Sequence, residues 1–275
     1  MKKILAVSGG IDSIVMLHMF RKDPDVVVAH FDHGIRPNSA EDCLFVRRTA
    51  EKYGLAFYSK RVELGEKCSE DTARTARYAY LRNLANQLDG QIYTAHHRDD
   101  VVETMVINLL RGTGWRGIAP FWDNDVQRPL IELTKSEIYR YAAEHQLSFR
   151  QDQTNTEDAY LRNRVRQSLS REQRQQLYEI YQKQLPIRDE IEQILGQIPR
   201  KSQYSKELTG QVGMEILRQI FQNHEVFLTR PQLERALVAI QNYAPGKRFS
   251  LDKKHFLSIK RYYFQIEDIT SVKIA

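Results

Sequence analysis

Six residues near the N-terminus, Ser8-Gly9-Gly10-Ile11-Asp12-Ser13, have types and spacing suited to holding an anion. They follow the apolar run Ile4-Leu5-Ala6-Val7 and precede Ile14-Val15-Met16-Leu17-His18-Met19-Phe20. That order reads as a strand, a Gly-rich turn and a helix. Adjacent glycines let backbone N–H groups turn toward one centre, and the helix N-terminus adds partial positive charge there. Ser8 and Ser13 add hydroxyls, and Asp12 can bind a divalent cation. The lysine of a Walker A loop is missing, so this is not a standard P-loop. A plain Gly-Ser turn is the alternative.

Three further groups could do chemistry. His30-Phe31-Asp32-His33-Gly34 ends the second β-prone run, and alternation places His30 and Asp32 on one face. His96-His97-Arg98-Asp99-Asp100 ends a later run and is followed by Glu103 and Thr104. Asp99 suits a helix cap, but two adjacent carboxylates beside two histidines exceed what a cap needs. With a bound triphosphate they point to Mg²⁺ held by oxygen ligands. Zinc is disfavoured because no thiolate set accompanies the histidines. Arginines form the third group: Arg74 and Arg77 on one helix face, Arg111 opening the glycine-rich loop Arg111 to Gly117, and Arg162, Arg164 and Arg166 within five residues. Arginine suits phosphate and base contacts, although a charged helix face is often simply solvated.

The elements that must position these groups alternate. Val26–Phe31, Leu55–Val62 and Gln91–Ala95 read as strands. Ser39–Tyr53, Ser69–Leu88 and Asp99–Arg111 read as helices, with Ser69 an N-cap and Glu70 and Asp71 in the first turn. The βαβα order predicts an α/β fold with a doubly wound parallel sheet and ligands at the carboxyl ends of its strands. Thr134-Lys135-Ser136-Glu137 is a capping box opening a helix to about His145. Residues 171–200 read as one or two connecting helices broken at Pro186 and Pro199. Beyond Tyr204 two short helices and an aromatic, β-prone hairpin over Arg248–Glu267 predict a small α+β domain. The expected division is therefore a catalytic domain over 1–168, a helical connector over 169–203 and a small basic C-terminal domain over 204–275.

At 275 residues with 41% hydrophobic and 28% charged content, the chain is an ordinary globular protein. Met1-Lys2-Lys3 runs straight into a strand, unlike a signal peptide, and no apolar run is long enough for a membrane span. Cys43 and Cys68 form no CxxC pair, which points to a reducing cytoplasm. Net charge is +6; the first 150 residues hold 21 basic against 20 acidic residues and the remainder 20 against 15. A basic second half suggests a polyanion such as RNA.

The first loop resembles the SGGxDS loop of N-type ATP pyrophosphatases, which cleave ATP to AMP and pyrophosphate. The full series resembles the tRNA(Ile)-lysidine synthetase family. It runs through Ser8–Ser13, His30 to Arg36, Ala73-Arg74-Thr75-Ala76-Arg77-Tyr78 and His96 to Thr104. It continues through Arg111-Gly112-Thr113-Gly114, Arg128-Pro129-Leu130, Asp152-Gln153-Thr154-Asn155 and Arg162-Asn163-Arg164. This covers roughly residues 3–168; over 205–275 the likeness is weak. The resemblance implies ATP-dependent joining of L-lysine to the wobble cytidine of CAU-anticodon tRNA(Ile), through an adenylated cytidine. It implies ATP bound by Ser8, Gly9, Gly10, Ile11, Asp12, Ser13, His30, His33, Arg74, His96 and Arg111, with Mg²⁺ on Asp12 and on Asp99 or Asp100. It implies lysine held and deprotonated by Asp32, Asp99 or Glu103, among which the sequence does not choose. tRNA contact would fall to Arg162, Arg164 and Arg166. Longer members carry a further C-terminal domain, whereas this sequence stops at Ala275 after one small unit.

Three rivals compete. A tRNA thiolase needs reactive or cluster-binding cysteines, which two unpaired cysteines do not supply. A small-molecule ligase of the same superfamily has no need of the Arg162–Arg166 cluster. A non-catalytic nucleotide or RNA module has no need of Asp12, Asp99 and Asp100. Residues 171–200 are also a candidate homodimer surface.

Overall fold

The computed structural model describes residues 1–34, 39–63, 65, 68, 70–121, 125–150 and 157–268. The motif residues Ile35, Arg36, Asp152, Gln153, Thr154 and Asn155, and the expected N-cap Ser69, lie outside them. Contacts divide the chain into two compact units, Met1–Leu185 and Pro186–Ala275.

The first unit is built on β1 (Lys2–Ala6), β2 (Val26–Asp32), β3 (Ala56–Arg61), β4 (Gly90–Tyr93) and β5 (Val126–Gln127). All pairings are parallel, in the order β3-β2-β1-β4-β5. The crossovers are α1 (Ile11–Phe20), α2 (Ser39–Lys52), α3 (Glu70–Leu88), then α4 (Arg98–Leu110) with the one-turn α5 (Trp115–Ile118). After β5 follow α6 (Lys135–Glu144), α7 (Glu157–Ser168) and α8 (Arg171–Gly196), the last running on into the second unit.

Strand alternation makes the sheet two-sided. In β1 and β2, Leu5, Val26 and Val28 enter a core with α1, α2 and α6, whereas Ile4, Val27 and Ala29 enter one with α3. The sheet is thus doubly wound, as the element order predicts. Strand order reverses direction on either side of β1, which places a crevice at its carboxyl end, directly at Ser8.

The structure corrects three local expectations. Pro186 does not end a helix, because α8 runs through it. A proline fixes φ at a helical value and removes one N–H, so a helix can continue past it at a cost. Part of the expected loop Arg111 to Gly117 is helical, from Trp115 onward. The C-terminal hairpin is a three-stranded meander.

That second unit holds β6 (Tyr204–Ser205), α9 (Gly210–Asn223), α10 (Arg230–Asn242), β7 (Arg248–Ser250), β8 (His255–Ile259) and β9 (Tyr263–Asp268). Its sheet is antiparallel in the order β6-β9-β8-β7. Leu217, Phe221, Leu233, Ile240, Leu257 and Phe264 close a separate core. Both cysteines are free, and among the described residues no helix is long and apolar enough to cross a membrane.

Candidate active site

The loop between β1 and α1 is held in shape by its own serines. Ser13 Oγ accepts from the N–H groups of Ser8 and Gly9, both at 3.2 Å, and donates to Gly10 O at 2.8 Å. Gly9 stands at φ +97°, a conformation that glycine adopts at little cost. Its carbonyl accepts from Arg150 N at 2.9 Å, tying the loop to the chain after α6. Gly10 is the N-cap of α1 and offers no side chain to the first turn. The first N–H groups of α1 therefore lack an intrahelical partner and face the position where an anion would sit.

Around the mouth of this loop stands an acidic group. Asp12 lies in the first turn of α1, and Asp99 and Asp100 lie in the first turn of α4. His97, the N-cap of α4, sits among them with 3% of its side chain exposed. Its Nε2 is 3.7 Å from Asp12 Oδ1 and 3.5 Å from Asp100 Oδ2, and its Nδ1 is 3.8 Å from Asp99 Oδ2. Asp100 also accepts from His97 N at 3.0 Å. Asp99 is pinned from two sides, by Lys135 N at 2.7 Å and by the Arg174 guanidinium at 3.2 Å. Lys135 Nζ reaches Asp12 Oδ1 at 2.5 Å.

Asp12 and Asp100 thus present carboxylates to one place. Among the described residues no cluster of three or more histidines, cysteines or carboxylates forms a ready metal cage. Two carboxylates with an open remainder suit a hard cation completed by water and ligand oxygens.

The histidines of the strand ends divide between the two faces. His30 is buried, with its ring Nδ1 2.8 Å from Val7 O, so it joins the ends of β1 and β2. Asp32 is buried; it accepts from Gly34 N at 2.9 Å and lies 3.5 Å from Arg61. His33 packs its ring on Phe31 at 4.8 Å. His96 turns the opposite way from its neighbour His97. It lies 2.9 Å from Thr94 Oγ1 and 4.7 Å from the Phe121 ring. Burial, and then Arg128, Arg74, Arg77 and Arg162, hold its pKa well below the ordinary value. Those four arginines are the cations that act on His96.

Other expected residues are placed elsewhere. Arg111 caps the far end of α4, roughly 18 Å along the axis from Asp99 at 1.5 Å per residue. Glu103 is 1% exposed and is gripped by Arg166, through Nε at 2.7 Å and a second nitrogen at 3.1 Å. That pair joins α4 to α7, and Glu103 raises the Arg166 pKa. Arg162 stands one turn before Arg166 on the same helix. Arg164 lies between them on α7 and is exposed. Sequence reasoning passed over Lys135, which the capping box had explained. It also gave the nucleotide role to His96 and none to His97. β4 ends at Tyr93, so both histidines lie in the loop before α4, and the N-cap position of His97 is what separates them.

Residues 1–173 match the PP-loop domain family. The chain belongs to that family. This PP-loop protein is similar to the tRNA(Ile)-lysidine synthase of Persephonella marina, 36% identical over 181 residues, which cover 60% of the chain and 40% of that enzyme. It is 37% identical over 182 residues to the tRNA(Ile)-lysidine synthase of Geobacter sulfurreducens, covering 60% and 39%. It is 34% identical over 186 residues to the bifunctional protein TilS/HprT of Listeria monocytogenes, covering 61% and 29%. The match therefore spans well under half the length of these relatives. Among solved structures, the U34-tRNA thiolase NcsA of Methanococcus maripaludis aligns with a TM-score of 0.55 and 16% identity, covering 72% of this chain and 73% of that one. That likeness concerns the fold alone.

Proposed function

We propose that the protein joins L-lysine to the wobble cytidine of a CAU-anticodon tRNA(Ile), using ATP and releasing AMP and pyrophosphate. The observation that carries this reading is the PP-loop facing Asp12, His97, Asp99 and Asp100, in a chain similar to tRNA(Ile)-lysidine synthases.

The N–H groups of the Ser8–Ser13 loop and the start of α1 bind the pyrophosphate end of ATP. Asp12 and Asp100 would hold a Mg²⁺ ion, which would offset negative charge on the leaving group. His30 and His33 border the nucleotide, and Arg74, within the patch around His96, meets its phosphates. The cytidine 2-oxo group attacks the α-phosphorus, and the bond to the pyrophosphate breaks. The lysine amine then attacks C2 and AMP leaves. The lysine ammonium is held by a carboxylate at the strand ends, Asp32 or Asp99, before it gives up its proton; Glu103, enclosed by Arg166, is not open to it. Arg162 and Arg164 contact the anticodon arm from α7, while Arg166 and Glu103 hold α7 in place. We further propose that residues 1–168 form the catalytic part, 169–203 a connector and 204–275 a second tRNA contact, in a cytoplasmic enzyme.

The test is pyrophosphate release from ATP with a CAU-anticodon tRNA(Ile) transcript, with and without lysine, alongside mass spectrometry of the tRNA nucleosides. A lysine-dependent gain of one lysyl group on cytidine is the expected result. ATP turnover with unmodified tRNA would overturn the substrate assignment. Asp100→Asn should melt like the parent and lose pyrophosphate release by roughly a hundredfold or more. Near-normal turnover in that variant would exclude Asp100 as a metal ligand.

A further inference from the structure

The loop Ser8–Ser13 lacks the lysine that a Walker A loop places on its phosphates, yet a lysine stands at its mouth. Lys135 is the first residue of α6, and Thr134 caps that helix by accepting from Glu137 N at 3.3 Å. The cap and the Lys135 N–H to Asp99 bond at 2.7 Å fix the backbone at this point. From there the side chain crosses to α1, where Nζ meets Asp12 Oδ1 at 2.5 Å. Asp12 belongs to the loop sequence itself. The ammonium therefore stands beside the first turn of α1, whose N–H groups face the anion position. The side chain is 31% exposed, so it is open to an incoming ligand.

Such a contact has a cost in a purely structural role. A partly exposed ion pair between flexible groups contributes little stability. Here it also neutralises a carboxylate that the proposed chemistry needs for a cation. A contact that a ligand would rearrange is better suited to a resting state.

We propose that Lys135 is a pyrophosphate-binding residue supplied from α6 of the same chain, and that its bond to Asp12 is the resting arrangement. When a polyphosphate enters the loop, the ammonium moves from Asp12 to the phosphate oxygens. During adenylation the bond between the α-phosphorus and the bridging oxygen breaks as the cytidine oxygen bonds to phosphorus. The electron pair goes to that bridging oxygen, and Lys135 stabilises the negative charge that the pyrophosphate carries away. A point charge with three rotatable donors suits a leaving group whose position changes. The step through adenylation rests on the proposed function; the binding of pyrophosphate does not need the tRNA.

The test is calorimetric titration of the full chain with inorganic pyrophosphate and magnesium, for the parent, Lys135→Gln, Lys135→Arg, Asp12→Asn and the double variant Asp12→Asn/Lys135→Gln. Loss of a charge-assisted phosphate contact should weaken binding about tenfold or more, and Lys135→Arg should recover most of it. The double variant separates the two roles. If Lys135 only neutralises Asp12, removing it in the Asp12→Asn background costs nothing, and the inference fails. If it binds phosphate, the loss persists in that background. Unchanged binding in Lys135→Gln, with the parent still forming lysidine, overturns this inference and leaves the proposed function standing. A parent that binds neither pyrophosphate nor ATP overturns both. Circular dichroism of each variant excludes unfolding as the cause of any loss.

Discussion

At the scale of single residues, the site depends on conformation and protonation that few alternatives would permit. Gly9 at φ +97° is an example. A Cβ there would meet Val46 at 3.4 Å and Phe45 at 3.5 Å, which is ordinary contact. The penalty for a side chain is therefore backbone strain rather than a clash. Gly9→Ala should cost about 1–2 kcal/mol and lower the melting temperature by about 2–6 °C. An unchanged melting curve would show that the loop relaxes to another conformation.

His96 gives a second prediction at this scale. Burial and the four surrounding arginines lower its pKa from the ordinary 6.5. The unfolded chain therefore takes up this proton at higher pH than the folded one. Its contribution to stability is complete above pH 6.5 and is lost as pH falls through that value toward the folded pKa. The melting temperature should fall on acidification, and His96→Asn should show a shallower fall. The fall will not vanish, because His18 and His224 are lowered in the same direction, chiefly by burial. An identical acid slope in His96→Asn would remove this residue from the account.

At the scale of elements, the α4 N-terminus gathers the acidic group, and two arginines fasten later helices to it. Arg174 binds Asp99 and also donates to the carbonyls of Arg166 and Leu169, so it closes the turn between α7 and α8. Arg166 binds Glu103 in the middle of α4. Removing the arginine strands a buried carboxylate. Arg166→Ala should therefore destabilise the protein by about 2–4 kcal/mol, below the range for a fully enclosed pair because Arg166 is half exposed. Glu103→Gln should cost less, since an amide still accepts a hydrogen bond. Urea unfolding of the two variants checks the order, and a smaller loss for Arg166→Ala would reverse the assignment. The elements also explain why His96 and His97, adjacent in sequence, serve different groups: one lies in the loop after β4 near the arginines, and the other caps α4 among the carboxylates.

At the scale of the molecule, charge is the property that bears on the proposed partner. The net +6 is modest, but Arg74, Arg77, Arg128 and Arg162 gather around His96. Each phosphate neutralised by a protein cation contributes to the salt dependence of binding. Arg164→Ala should reduce the slope of log affinity for tRNA against log salt by about 0.7–0.9. Filter binding over a range of potassium chloride concentrations measures this, and an unchanged slope would place Arg164 off the RNA.

Sequence alone determined the parallel α/β fold, the anion loop and the acidic motif, because these depend on local order. Alternating apolar runs give strands, their spacing gives helical crossovers, and Ser-Gly-Gly after a strand gives the turn. Pro186 stays inside α8 because a proline only raises the cost of a helix, and packing along α8 decides whether that cost is met. The short strand β5, two residues long, carries no periodic signal of its own. Only the tertiary structure decided which charged groups meet. It paired Lys135 with Asp12, residues 123 positions apart, and Arg166 with Glu103, 63 apart, while placing Arg111 at the wrong end of α4 for the acidic group. Such pairings depend on where helices cross and which face each turns inward. Charge in a sequence says only that a residue needs a partner or water; the packing of α4, α6 and α7 chooses the partner.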